Sequence, residues 1–152
     1  MSEPYYLLDT NVLLFWLRGG DMCQAIDEQF HLTQSSFRPM ICEVTLGEIE
    51  AFAMDSKWGE ARKEKLAEIR RKLVVVDLTD ERMYRAYAEL STLAKGSGLP
   101  IFHDKNDLWI AAATRISGAT LLTTDAKGFK PLRDGKYLNA VVLDAKTGWP
   151  VP

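Results

Sequence analysis

Five short apolar runs, each followed by a longer polar or amphipathic stretch, constrain most strongly what this chain can fold into. They are YYLL at residues 5–8, PMIC at 39–42, LVVVDL at 73–78, ATLLT at 119–123 and YLNAVVL at 137–143. Runs of this length with β-branched and aliphatic residues predict buried strands. The stretches between them carry helical patterns at residues 12–17 and 21–32, and again from Val44, where Thr45, Glu48, Ile49 and Phe52 stand at i, i+3, i+4 and i+7. Residues 57–72 read as a strongly charged helix with Trp58, Ala61, Lys65, Leu66, Ile69 and Leu73 on its apolar side. Thr79 and Asp80 cap a further helix to about Lys95, which GSGLP at 96–100 breaks. Asp107 opens another helix through Ser117, and Gly118 ends it. Strands alternating with helices mean right-handed βαβ units. The expected fold is a three-layer α/β/α domain with a central, mostly parallel sheet. At 152 residues, the chain is expected to form one domain, 1–152.

Composition removes several classes of function. Apolar residues make up 47% and charged residues 26%, an ordinary globular balance. No apolar run approaches the ~18–20 residues that span a bilayer. MSEPYY has neither the basic start nor the apolar stretch of a secretory leader. Cys23 and Cys42 show no metal or redox spacing and read as small buried thiols. The cytoplasm is the expected location. A net charge of −2 argues against non-specific coating of nucleic acid, but it does not exclude a local site.

One charge interrupts the apolar stretch YYLLDTNVLLFW. Asp9 could cap the first helix, but Thr10 and Asn11 could do so equally well. Its other property is its place at the carboxyl end of the first strand, the edge where open α/β sheets bind ligands. Asp125 ends ATLLTT in the same way, and Asp107 starts a helix. Glu48 borders the apolar stripe of the helix after residue 42. A parallel sheet brings strand ends and following helix starts to one edge, so these four acids can meet. Each also has an ordinary reading, as cap, turn residue or solvated acid.

Clustered carboxylates raise one another's pKa unless a cation compensates. An oxygen-only donor set suits Mg2+ or Mn2+ rather than zinc. The natural chemistry is phosphodiester hydrolysis at a metal. His31 and His103 stand in no nucleophile motif, and no glycine-rich phosphate loop is present.

LLDTNVLL, TLGEIEAF, NDLWIAAAT and LLTTDAKGF, in this order and spacing, resemble the four acidic motifs of PIN-domain nucleases, with the small VapC-type toxins nearest. The resemblance covers residues 5 to about 142. It implies an Mg2+- or Mn2+-dependent endoribonuclease, a small VapB-like antitoxin and a homodimer. It implies further that Asp9, Glu48, Asp107 and Asp125 are the metal-binding and catalytic acids, that Asn11 helps hold Asp9, and that Thr123 supports the last aspartate. Cys42 stands where such proteins often have Ser, and AKGF after Asp125 lacks their second aspartate. Asp104, three before Asp107, is a spare ligand or loop charge, and loop charge is the favoured reading. Arg115 and the seven Lys/Arg of residues 57–72 are candidate substrate cations, the latter equally a solvated helix face. Three alternatives stay open: a PIN nuclease that is not a toxin, a PIN fold kept for binding alone, and a haloacid-dehalogenase-like phosphatase. The last wants a second Asp where Asn11 stands.

Overall fold

The computed structural model describes residues 4–34, 36 and 38–152; residues 1–3, part of the stretch inspected for a leader, lie outside the described residues. Its organisation follows from the first strand, β1 (Tyr6–Leu8). Successive strand residues face opposite sides of a sheet, and Leu7 and Leu8 accordingly enter two different cores. After β1 come α1 (Thr10–Arg18), α2 (Gly20–Phe30), β2 (Met40–Cys42), α3 (Glu43–Asp55), α4 (Glu60–Arg70) and β3 (Val74–Val76). The chain continues through α5 (Glu81–Gly96), a 3-10 turn at Pro100–His103, α6 (Lys105–Ser117), β4 (Thr120–Thr123), α7 (Ala126–Asp134) and β5 (Asn139–Val142).

Among the described residues the sheet has five strands in the order β3-β2-β1-β4-β5, and every pairing within it is parallel. The expectation of a mostly parallel sheet thus becomes an entirely parallel one. The antiparallel contact among the described residues is an isolated bridge, Leu143 to Pro150. Leu8 packs with Val12, Leu13, Ile49 and Leu122 under α1, α3 and α4. Leu7 packs with Met83, Leu90, Leu108, Leu121 and Phe129 under α5, α6 and α7. Each such fully buried aliphatic side chain stabilises the fold by about 1.5–3 kcal/mol relative to exposure.

Several boundaries differ from expectation for physical reasons. The run 73–78 supplies only three paired residues, all half-buried, because β3 is the sheet's edge. The charged helix starts at Glu60, since Lys57 takes a left-handed φ of 52° that breaks the turn before it. Of its expected apolar side, Trp58, Ile69 and Leu73 are buried, whereas Ala61 and Lys65 are exposed. Phe52 is 37% exposed and stacks edge-on against Trp58, leaving Ala53 as the residue that α3 buries beside Ile49. α7 is announced by no sequence pattern, because Gly128 and Pro131 both fall inside its nine residues. Gly118 does end α6, at φ 71°, a conformation a side chain would strain. Among the described residues no helix is long and apolar enough to cross a membrane.

Candidate functional site

The strand order turns at β1. The chain leaves β1 towards β2 and β3, and leaves β4 towards β5. The carboxyl ends of β1 and β4 therefore flank the crevice where connections diverge, the general ligand position of open parallel sheets. Asp9 follows β1 immediately and Asp125 lies two residues beyond β4.

The register fixes what surrounds Asp9. Leu8 pairs with Leu122, and the Asp9 N–H extends the ladder to the Leu122 carbonyl at 3.0 Å. Thr123 then stands beside Asp9, and its hydroxyl donates to Asp9 Oδ2 at 2.7 Å while accepting the Asp125 N–H at 3.0 Å. One buried hydroxyl thus ties the two strand-end aspartates together. Asp9 Oδ1 accepts the Thr10 N–H at 2.7 Å, so Asp9 is also the N-cap of α1.

Thr10 carries the connection to α3. Its hydroxyl donates to Glu48 Oε1 at 2.6 Å and lies 3.1 Å from the Thr45 hydroxyl. Thr45 and Glu48 stand three residues apart on one face of α3, as helical geometry requires. From the other layer, α6 brings Asp107 in its first turn. Asp125 is the N-cap of α7, its Oδ1 accepting the Gly128 N–H at 3.0 Å. A recess of about 180 Å³ is lined by Asp104, Asp107, Asp125, Lys127 and Gly128, together with Pro100 and Ile101.

The electrostatics are those of uncompensated negative charge. Asp9 is 4% exposed. Burial pushes its carboxyl up to about 6; the bonds from Thr123 and Thr10 oppose this, and the charges of Glu48 and Asp125 add to it. Hydrogen bonds to a charged group contribute about 1.5–3 kcal/mol each, so the net rise means that desolvation together with the neighbouring charges outweighs both. Asp107 is pushed up to about 8, first by burial and then by the charges of Asp9, Asp104, Asp125 and Glu48. None of the four acids joins an ion pair with Lys or Arg among the described residues.

Other expectations meet the structure differently. Asn11 is exposed and gives Asp9 no hydrogen bond; Thr10 and Thr123 hold that carboxylate instead. Asp104 is the N-cap of α6, accepting the Asp107 N–H at 3.1 Å, so the helix starts at Lys105 and loop charge was too weak a description. Arg115 lies in the last turn of α6, about 12 Å along the axis from Asp107. There it pairs with Glu89 at 3.3 Å and does not line the recess. Lys57, Lys63, Arg70 and Arg71 rim a separate recess of about 770 Å³ with Met54 and Trp58, and none of the four acids lines it. Cys42 is buried, its thiol donating to the Trp109 carbonyl at 3.6 Å, and burial pushes it up to about 11. Thr10 and Thr45 were the participants that sequence patterns did not single out. Sequence patterns offer Thr10 only as an alternative cap beside Asp9 and Thr45 only as a member of the helical stripe, three residues before Glu48.

A divalent cation fits this donor set on chemical grounds. The approaching groups are oxygens alone, and two of them, Asp9 and Asp107, are pushed up by burial and then by neighbouring negative charge. Asp9 retains further lone pairs on both oxygens after its two hydrogen bonds. Among the described residues no three His, Cys, Asp or Glu side chains are already drawn into a ligating group. Four like charges without a counter-ion have no reason to close up.

The PIN domain family profile matches residues 6–133. No curated protein sequence matches the chain. Among solved structures, the chain resembles VapBC2 from Rickettsia felis, bound there to a DNA fragment from its promoter. The identity is 26% over 90% of this chain and 96% of that one, at a TM-score of 0.74. VapBC-1 from nontypeable Haemophilus influenzae gives 23% over 91% and 97% at 0.69. VapBC-5 from Mycobacterium tuberculosis, a member of the VapBC family of toxin-antitoxin systems, gives 22% over 92% and 100% at 0.65. The last two likenesses bear on the fold alone. With the family profile running from the start of β1 to Arg133 in the last turn of α7, this chain belongs to the PIN domain family.

Proposed function

We propose that the chain is an Mg2+- or Mn2+-dependent endoribonuclease, the toxin of a VapBC-type toxin–antitoxin pair. Asp9, Glu48, Asp107 and Asp125 are its metal-binding and catalytic acids. The observation that carries this reading is the approach of those four carboxylates to the switch-point edge, near enough that Asp9, Glu48 and Asp125 all act on Asp107, with none of the four ion-paired among the described residues. Family membership supports nuclease chemistry, and the 26% likeness to the Rickettsia VapBC2 supports the toxin role. RNA as substrate, a small VapB-like antitoxin and a homodimer come from the resemblance to VapC-type toxins. Residues 1–152 act as one domain in this reading, in the cytoplasm.

The chain's own residues hold and orient. Thr123 holds the Asp9 carboxylate by one oxygen and fixes the backbone that presents Asp125. Thr10 draws Glu48 to the same place from α3. The N-cap bonds of Asp104 and Asp125 set the first turns of α6 and α7, so that Asp107 and Asp125 face a common recess. Lys127, the cation lining that recess, offers a contact to a phosphate of the substrate backbone. A divalent cation among these oxygens supplies Lewis-acid polarisation of the phosphoryl group and a lowered pKa for the attacking water.

The test is direct. Purified protein incubated with total RNA is expected to cleave it with Mg2+ or Mn2+ and to leave it intact in EDTA. Expression alone is expected to arrest growth, and a co-encoded small partner to relieve the arrest. Full cleavage in chelator would remove the metal-dependent mechanism, and cleavage confined to DNA would remove the substrate class.

A further inference from the structure

Gly128 is the third residue of α7, buried, and its φ is not in the left-handed region. Conformation therefore does not call for glycine here, and in a helix glycine is the poorer choice. Space does call for it. A Cβ at residue 128 would lie 2.5 Å from Asp125 Oδ2 and 3.2 Å from its Cγ, while the Gly128 N–H donates to Oδ1 of the same carboxylate. The carboxylate of Asp125 lies where any side chain at 128 would begin.

We propose that Gly128 is a positioning residue: the missing side chain admits the Asp125 carboxylate to its seat over the first turn of α7, in the recess it shares with Asp104 and Asp107. This rests on the reading of Asp125 as a metal-binding acid. The atoms a methyl group would meet belong to the far end of a side chain that can rotate, and none is backbone of a neighbouring element. A substitution is therefore absorbed by turning Asp125 away, and the core need not move. Stability and metal binding separate as a result. Alanine favours the helix, which offsets the weakened cap. Metal affinity falls because one oxygen ligand has left its position.

The experiment is a double-mutant cycle read by Mn2+ titration, with a melting curve for each protein: wild type, Gly128→Ala, Asp125→Ala and the pair. Gly128→Ala is expected to weaken Mn2+ binding about 10- to 100-fold, the usual range for a group that orients a ligand. Its Tm should stay within a few degrees of wild type. In the Asp125→Ala background the second change should cost no further affinity and should raise Tm, because the obstructing carboxylate is gone. If Gly128→Ala proves unstable alone but stable beside Asp125→Ala, the clash with Asp125 is demonstrated by the Tm values themselves. Wild-type Mn2+ affinity in Gly128→Ala, with Asp125→Ala weakened, overturns the proposal and leaves the metal-site reading standing. So do losses that add in full in the pair. Wild-type affinity in Asp125→Ala overturns the ligand assignment, and this proposal with it.

Discussion

Asp9 and Asp80 are both N-caps in βα units, Asp9 directly after β1 and Asp80 four residues beyond β3. Each follows a parallel strand with extended backbone, at φ/ψ of −63°/156° and −69°/130°, and each caps the helix that follows by accepting a main-chain N–H of its first turn. Their surroundings reverse the consequence. Arg82, two residues on, reaches back to Asp80 with its Nη2 2.6 Å from Oδ2, and that bond holds the carboxyl below the usual range. Asp9 has Asn11 at the same offset, exposed and unbonded to it. It is buried beside further acids, and its carboxyl is pushed up to about 6. Capping geometry is therefore common to a site and to an ordinary helix start. What separates them is burial among other acids for Asp9 and an exposed arginine partner for Asp80.

The largest effect should come from removing the charge at each position while keeping the cap. Asn caps a helix about as well as Asp. Asp9→Asn should remain folded, with a Tm no lower than wild type once the repulsion is relieved. It should lose RNA cleavage by about 100-fold or more, as expected for losing several kcal/mol of metal-assisted stabilisation. Asp80→Asn should cleave as wild type does. Cleavage assays and melting curves on both decide it, and a fully active, folded Asp9→Asn would reduce Asp9 to a cap.

How much of this contrast a reader of the sequence could have drawn depends on the element. Asp9 and Asp125 were legible because a parallel sheet must bring strand ends to one edge, and strongly apolar runs made those ends visible. Asp107 was legible as a helix start, but Asp104 is the cap, since a side chain bonding the N–H three residues on moves the boundary back to Lys105. Glu48 was placed on the right helix, while its partner Thr10 was not foreseen; a bond spanning 38 residues leaves no trace in local pattern. α3 itself divides its apolar residues, Val44 to one core and Ile49 and Ala53 to the other, and this blurs its stripe. α7 was hidden by Gly128 and Pro131. The glycine that obscured the helix is the one whose missing side chain leaves room for Asp125.

The next effect separates the two aspartates by pH. In the unfolded chain an Asp titrates near 3.9. Asp107 at about 8 and Asp9 at about 6 hold protons in the native state that the unfolded chain releases. Between about pH 4 and 8 the native state therefore binds more protons, and the stability of metal-free protein falls as pH rises. Asp80 and Asp144 are lowered, so their contribution has the opposite sign and is lost only as pH falls through their native values. Tm measured in EDTA should decline from pH 5 to 8. Added Mg2+ or Mn2+, which binds the ionised forms, should restore most at the upper end and little at pH 5. A flat Tm profile in EDTA would mean that burial and neighbouring charge do not raise Asp9 and Asp107 as described.

The smallest effect comes from exchanging the neighbours instead of the aspartates. Arg82 and Asn11 both stand two residues after their N-cap, each on the exposed side of a first turn. Arg82→Asn removes a pair that sits in solvent, where such contacts contribute little, so cleavage and Tm should barely change. Asn11→Arg offers the Asp9 edge the cation it lacks. The guanidinium should lower the pKa of the nearby acids and flatten the decline of Tm with pH in EDTA. It should also compete with the divalent ion for the same charge. Mn2+ affinity should then fall by about tenfold, while the metal-free protein becomes more stable at pH 8. Metal-free stabilisation and weakened metal binding must appear together, because both follow from the same added charge. A variant that binds Mn2+ as tightly as wild type and melts with the same pH profile would show that residue 11 lies outside the field of the four carboxylates. The likeness between Asp9 and Asp80 would then end at the cap.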